Sequence, residues 1–194
     1  MKFKIYKFNI VKSTNDIAID LIKKKRKSFG FVFAETQTKG RGTKGKKWFS
    51  KSGNLLCSIF FPLKKNYPPF YEFTTINSVI ISEVIKFFSK KKKINLKFPN
   101  DIFLNGKKVC GILQEVITSK KKNFLIIGIG INIISSPIIK NNYKATNLYL
   151  ETKTKLHLGD IKDLLISKYD DFFKNLNKYK FNYYKNEAEL ISIN

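Results

Sequence analysis

The dipeptide Asn105-Gly106, set between two apolar-rich stretches, constrains this chain more than any other feature. Both residues of a two-residue β-hairpin turn need positive φ, which asparagine and glycine adopt at least cost. Residues 101–104 and 108–116 are therefore expected to pair as antiparallel strands. A second hairpin is expected to join residues 111–118 to 124–133 across 119–123. Residues 55–61 are almost unbroken apolar, as in a strand covered on both faces. Residues 3–11, 31–35 and 96–98 read as further strands, the last ended by Pro99. Helices are expected at three places. Ser13-Thr14-Asn15-Asp16 offers a capping residue with a carboxylate three positions on, and Ile17, Leu21 and Ile22 follow at helical spacing. Residues 74–89 carry Ile76, Val79, Ile80, Val84, Phe87 and Phe88 on a wide apolar face. Leu164, Leu165, Tyr169, Phe172, Phe173 and Leu176 share a face in a helical tail over 160–190. Residues 37–47 and 134–147 read as loops. These elements make an α+β fold: a mixed, largely antiparallel sheet with helices packed on one face.

With 194 residues, 43% of them hydrophobic, the chain can bury the core of one domain. No apolar run suits a bilayer span, so no membrane partner is expected. Lysines interrupt the first residues too often for a signal-peptide core. Cys57 and Cys110 make no disulfide framework, which favours the reducing cytoplasm. One histidine and two separated cysteines give no zinc-site spacing. The net charge of +24 invites a nucleic-acid reading. All but two of the 38 basic residues are lysines, however, scattered along a chain also rich in Ile, Asn and Phe. That pattern reads as an A/T-rich codon bias acting on exposed positions. A dedicated nucleic-acid surface favours the arginine fork and gathers its charge on one element. No specific nucleic acid is expected, although the charge speeds encounter with an acidic partner.

Three segments carry candidate chemistry. In Gly40-Arg41-Gly42-Thr43-Lys44-Gly45-Lys46-Lys47-Trp48, glycines let backbone N–H groups approach an anion, and Arg41 and the lysines add positive charge. The segment fits neither a P-loop nor a dinucleotide fingerprint; by composition it is equally a basic surface loop. In Lys97-Phe98-Pro99-Asn100-Asp101, the hairpin brings Asp101 near Lys108, as a surface ion pair or as a carboxylate steadying a phosphate-binding lysine. In Gly128-Ile129-Gly130-Ile131-Asn132, glycine inside a strand marks a bulge or a close approach, and Asn132 has the donor and acceptor to read an adenine edge.

Taken together from Ser13 to Asn132, these segments resemble the catalytic core of biotin protein ligases. The match rests on Ser13-Thr14-Asn15-Asp16, Gln37, the Gly40 to Trp48 loop, Lys97 to Asp101, Lys108-Val109-Cys110-Gly111-Ile112-Leu113-Gln114-Glu115 and Gly128 to Asn132. The resemblance implies a reaction in which biotin and MgATP give biotinoyl-5′-AMP. The biotinoyl group then passes to a lysine of the biotin carboxyl carrier protein of acetyl-CoA carboxylase. It implies Arg41, Lys108 and Asp101 as catalytic residues: the two cations neutralise carboxylate and α-phosphate, and Asp101 positions Lys108, the nucleophile or the metal. Biotin-binding positions are then Ser13, Thr14, Asn15, Gln37, Gly40, Arg41, Gly42, Lys108, Gly111, Leu113 and Gly128. ATP-binding positions are Lys46, Trp48, Asn100, Asn132 and Ala145; no Mg²⁺ ligand is assigned. Many relatives carry a second arginine where this chain has Thr43, which implies a weaker hold on the intermediate. Residues 1–194 are expected to form a single catalytic domain, without an N-terminal DNA-binding domain and with the small C-terminal β-barrel absent or vestigial. A homodimer is compatible with the family. Lipoate ligases share the fold and stand as the alternative, and a non-enzymatic nucleic-acid-binding domain ranks last.

Overall fold

The computed structural model describes residues 3–90, 92–138 and 144–193, so residues 139–143 of the expected 134–147 loop lie outside the described residues. Seven strands form one sheet: β1 (Ile5–Val11), β2 (Gly30–Gln37), β3 (Leu55–Pro62), β4 (Ile94–Lys97), β5 (Asp101–Leu104), β6 (Lys107–Ser119) and β7 (Lys122–Ile131). The helices are α1 (Thr14–Lys23), α2 (Phe73–Phe88), α3 (Leu148–Thr152), α4 (Leu158–Lys174) and α5 (Phe181–Ile191). In space the strands run β1-β2-β3-β7-β6-β5-β4. β1 and β2 are parallel, and every other neighbouring pair is antiparallel.

Both expected hairpins form. Asn105 and Gly106 take φ of 51° and 74°, as a tight turn with two left-handed residues requires. The second hairpin is tighter than residues 119–123 imply. Its pairing runs to Ser119 opposite Lys122, and Lys120 and Lys121 turn with φ of 47° and 62°. Lysine carries no sequence signal for that conformation. The long β6–β7 ladder supplies the stabilisation that offsets the strain of two left-handed side-chain-bearing residues.

Alternation divides the strand residues between two faces. On one face Phe31 and Phe33, Leu55 to Phe61 at odd positions, and Leu125 to Ile131 at odd positions join the main core. A layer made by α2, α4 and α5 covers this face, contributing Ile76, Ile81, Ile85, Leu165, Tyr169 and Phe173. On the other face Val32, Phe60, Phe124 and Ile126 pack with Ala18 and Ile22 of α1 in a separate, smaller cluster. The short α1 covers only part of this face, and the uncovered part is where the candidate site lies. Every residue of β3 is buried, as its unbroken apolar run predicts.

Three local expectations are corrected. Ser13 stands at the N-cap of α1 but its side chain makes no capping bond. The Thr14 N–H instead donates to Gln37 Oε1 at 2.7 Å. Phe87 points outward at 73% exposure, so of the two phenylalanines expected on the apolar face of α2 only Phe88 packs against the core. The tail is two helices rather than one. It breaks after Lys174, and the turn lets the end of α5 reach the sheet, where Ile193 N–H donates to Leu96 C=O at 3.0 Å. A buried polar relay fixes the helix layer on the sheet. Tyr169 Oη donates to Asn77 Oδ1 at 2.9 Å, and Asn77 Nδ2 donates to Gln114 Oε1 at 2.7 Å.

Candidate active site

The floor of the site is made by missing side chains. Gly111 on β6 and Gly130 on β7 face each other across the ladder, and Gly128 lies opposite Leu113. All three point to the face that α1 leaves partly open. The indole of Trp48 lies across Gly111 and Gly130: a Cβ at Gly111 would come within 2.6 Å of its ring, and one at Gly130 closer still. A Cβ at Gly128 would strike the Asn15 amide. Any other residue at these three positions would push the Trp48 indole or the Asn15 amide away from the sheet.

The segment 40–48 forms the lid. It is an ordered hairpin rather than a loose loop. Trp48 N–H donates to Gly40 C=O at 2.9 Å, Gly42 N–H donates to Lys46 C=O at 2.6 Å, and Arg41 pairs with Lys47. Lys44 and Gly45 turn its tip with φ of 54° and 72°. The result is a cavity of about 120 Å³ between lid and floor. Two clefts elsewhere are wider, at about 720 and 630 Å³, but they are more open and hold no comparable convergence of charge and glycine.

A polar chain lines one end. Gln37 Oε1 accepts from both the N–H and the hydroxyl of Thr14, at 2.7 and 3.1 Å, while its Nε2 donates to Ser50 at 3.0 Å. Ser58 joins Thr14 Oγ1 and Asn15 Oδ1. Asn15 Nδ2 donates to Glu115 Oε2 at 2.7 Å. Arg41 grips Glu115 with both arms at 2.7 and 2.8 Å and reaches Asp16 at 2.8 Å. The bonds to Glu115 foremost, and then the nearby charge of Asp16, raise the Arg41 pKa against the opposing effect of burial.

At the other end Lys108 Nζ lies 2.7 Å from Asp101 Oδ1 and 5.5 Å from the centre of the Trp48 ring. Its place depends on a β-bulge. Lys108 and Gly111 are three residues apart, an odd separation that puts them on opposite faces of a regular strand. Between β5 and β6 the register slips, so that Ile102 faces Cys110 while Phe103 faces Lys108. Val109 and Cys110 then both enter the main core. The extra residue turns Lys108 to the cavity side. Asn100 Nδ2 donates to Asp101 at 3.0 Å and lies 3.4 Å from the Thr43 hydroxyl, linking this end to the lid.

Most of the residues expected from sequence line this one cavity: Ser13, Thr14, Asn15, Gln37, Arg41 and Gly42 from the helix and lid side, with Lys46 and Trp48 beside them, and Asn100, Asp101, Lys108, Gly111, Leu113 and Gly128 from the sheet. Gly40, Asn132 and Ala145 do not line it. Gly40 lies behind the wall, where a Cβ would meet Ser50 and Trp48 C=O. Asn132 is 2% exposed, and its Nδ2 donates to Thr146 C=O at 3.0 Å. Ala145 pairs through its backbone with Lys108. Ser58 is absent from the residues expected from sequence, and Gly130, Lys47 and Glu115 appear there only within their motifs, without a binding role of their own. Ser58 had a signal, a lone hydroxyl inside the apolar run of β3; Glu115 shares strand parity with Gly111 and Leu113.

Two buried polar atoms near the site have no partner, Trp48 Nε1 and Asn132 Oδ1. Cys57 touches the cavity, yet burial pushes its thiol well up, as it does that of Cys110. Neither is poised as a thiolate nucleophile. Among the described residues no three His, Cys, Asp or Glu side chains converge, so they form no cage for a metal ion. No helix among them is long and apolar enough to cross a membrane.

Comparison with known proteins agrees with this geometry. The model of the Biotin/lipoate A/B protein ligase family matches residues 8–132. The bifunctional ligase/repressor BirA of Escherichia coli is 35% identical over 127 residues, and that of Bacillus subtilis 32% over 135. These matches take in 64% and 66% of this chain but only 39% and 40% of those proteins, so the chain spans about two-fifths of the curated relatives. Among solved structures, a biotin protein ligase from Aquifex aeolicus in complex with biotin and ATP superposes with a TM-score of 0.80 at 28% identity. That superposition covers 98% of this chain and 78% of that one. One from Leishmania major in complex with biotin gives 0.82 at 22% identity and shares the fold.

Proposed function

This chain belongs to the biotin/lipoate A/B protein ligase family, and from that premise we propose that it joins biotin to a carrier protein at the expense of ATP. In the first step an oxygen of the biotin carboxylate attacks the α-phosphorus of ATP. The bond to pyrophosphate breaks, leaving biotinoyl-5′-AMP. In the second, a lysine amine of the biotin carboxyl carrier protein of acetyl-CoA carboxylase attacks the acyl carbon, and AMP leaves. The carrying observation is that one cavity joins a side-chain-free glycine floor, a neutral polar chain at one end and a lysine–aspartate pair at the other. The first step brings two anions together, so it needs cations and donors fixed in place more than acid–base chemistry.

Each group has a job in that reading. Thr14, Asn15 and Gln37 offer both donors and acceptors to a ureido ring, with the buried Ser58 holding Thr14 and Asn15 from behind, and Leu113 and the glycine floor make the apolar wall. Lys108, held by Asp101, faces the α-phosphate, with Lys46 and Lys47 on the lid. The unpartnered Trp48 Nε1 and Asn132 Oδ1 are a donor and an acceptor of the kinds a nucleotide can satisfy. ATP arrives with Mg²⁺, which would neutralise phosphate charge and keep phosphate oxygens and water as ligands. Thr43, beside Asn100, replaces a cation on the lid. Thr43→Arg is therefore expected to slow release of the intermediate, measured as the rate at which labelled biotinoyl-AMP leaves the protein. The same reading makes residues 1–194 one catalytic domain acting in the cytoplasm. If it dimerises, β1 is the available sheet edge, because the chain after α5 pairs with Leu96 along β4.

Incubation with labelled biotin, MgATP and a biotin carboxyl carrier domain tests the proposal. Label should pass to one lysine of the carrier, and lipoate should neither replace biotin nor raise the melting temperature as biotin does. A folded, soluble chain that leaves the carrier unlabelled, or that takes lipoate in preference, contradicts it.

A further inference from the structure

Arg41 lines the cavity, yet its guanidinium faces carboxylates of its own chain. Both arms bond Glu115, and one also bonds Asp16. Such fork-to-fork pairing is the strongest arrangement open to arginine and also the most orienting. The two carboxylates stand on rigid elements, Glu115 on β6 and Asp16 in the first turn of α1. Arg41 stands on the stem of the lid, opposite Lys47. One side chain thus ties the lid to the helix and to the sheet. Two carboxylates against one guanidinium leave the cluster with a formal charge of −1, so it repels an incoming phosphate. Lys108, with Asp101 as its carboxylate partner, is the cation better placed to meet it.

We infer that Glu115 and Asp16 are positioning residues that act through Arg41, and that Arg41 fastens the lid over the cavity rather than neutralising the substrate's anionic groups. Glu115 also accepts from Asn15 Nδ2, and the Asn15 amide lies over Gly128 and meets Ser58. The fastener therefore holds one polar residue of the α1 wall as well as the lid. Closing the lid lays Trp48 on Gly111 and Gly130, so the state of the fastener is read at the indole. The role assigned to Lys108 and the effect on biotin rest on the proposed function; the fastening of the lid does not.

The test uses Glu115→Gln, Arg41→Gln and the double variant. Trp48 is the one tryptophan of the chain, so acrylamide quenching of its fluorescence reports the lid without any ligand. All three variants should be quenched more readily than the unsubstituted chain, and to the same degree, because each opens the same contact. With biotin, its release should quicken about tenfold, the effect of losing roughly 1.4 kcal/mol. The biotin-dependent pyrophosphate exchange at saturation should fall far less. Unchanged quenching in Glu115→Gln overturns the fastener. So does an Arg41→Gln that abolishes saturated exchange while Glu115→Gln spares it, because that marks Arg41 as the phosphate cation. Were the unsubstituted chain to show no biotin-dependent exchange, the proposed function would fail, while the quenching would still decide whether Arg41 holds the lid.

Discussion

The two faces of the sheet use the same strands and the same backbone bonds, but alternate residues along them do different work. On the covered face Cys57, Ile59, Ile127 and Ile129 pack under α2, α4 and α5. On the other face their neighbours are Ser58, Gly128 and Gly130, which give up apolar bulk to seat the Asn15 amide and the Trp48 indole that line the cavity. The difference teaches that the site is affordable only because the opposite face carries the stability. Large apolar side chains there bury most of the core, at about 25 cal/mol for each Å² removed from water, and so the cavity face can hold glycine, amide, hydroxyl and ion pairs.

Substitutions on the two faces should therefore separate activity from stability. The largest effect is expected from Lys108→Met. Biotin-dependent pyrophosphate exchange should fall about 10³-fold, as when a transition-state donor is removed, with the melting temperature lowered by only a few degrees; equal losses of both would blur the division. Ile127→Ala, on the covered face, should cost about 3 kcal/mol, or roughly 6–12 °C in melting temperature, while exchange per folded molecule holds. Tyr169→Phe leaves Asn77 Oδ1 without its buried donor and should cost about 2 kcal/mol in denaturant unfolding. A cost near zero would mean that the relay from α4 to β6 does not hold the layers. The smallest effects concern two helix starts. Asn147 caps α3 by accepting from Leu150 N–H at 2.9 Å, so Asn147→Ala should cost about 1 kcal/mol. Ser13→Ala should cost clearly less in the same unfolding measurement, because the Ser13 side chain makes no capping bond.

Much of this division is legible in the sequence. The Asn105-Gly106 turn, the unbroken run of β3 and the spacing of α2 announce the sheet and its helical cover. The glycine spacing in the 40–48 segment and in β7 marks where backbones approach closely. What the sequence hides is set by tertiary contacts. The bulge that turns Lys108 toward the cavity follows from how β5 and β6 settle together, and Lys107 to Gly111 read as an ordinary strand. The Lys120-Lys121 turn has no residue that favours it; the ladder beside it imposes the conformation. Arg41 reads as a bare cation beside glycines because its partners, Asp16 and Glu115, are 25 and 74 positions away. Ser13 reads as a cap because nothing local shows that the first helix N–H, that of Thr14, is taken by Gln37, 23 positions away on β2.

The central claim is that the cavity on the glycine face gathers biotin and ATP at Lys108. Exchange of labelled pyrophosphate into ATP by the purified chain, with biotin, with lipoate and with neither, tests it most directly. The account predicts exchange that depends on biotin and is lost in Lys108→Met. Exchange supported equally by lipoate, or none at all from a folded chain, would contradict it.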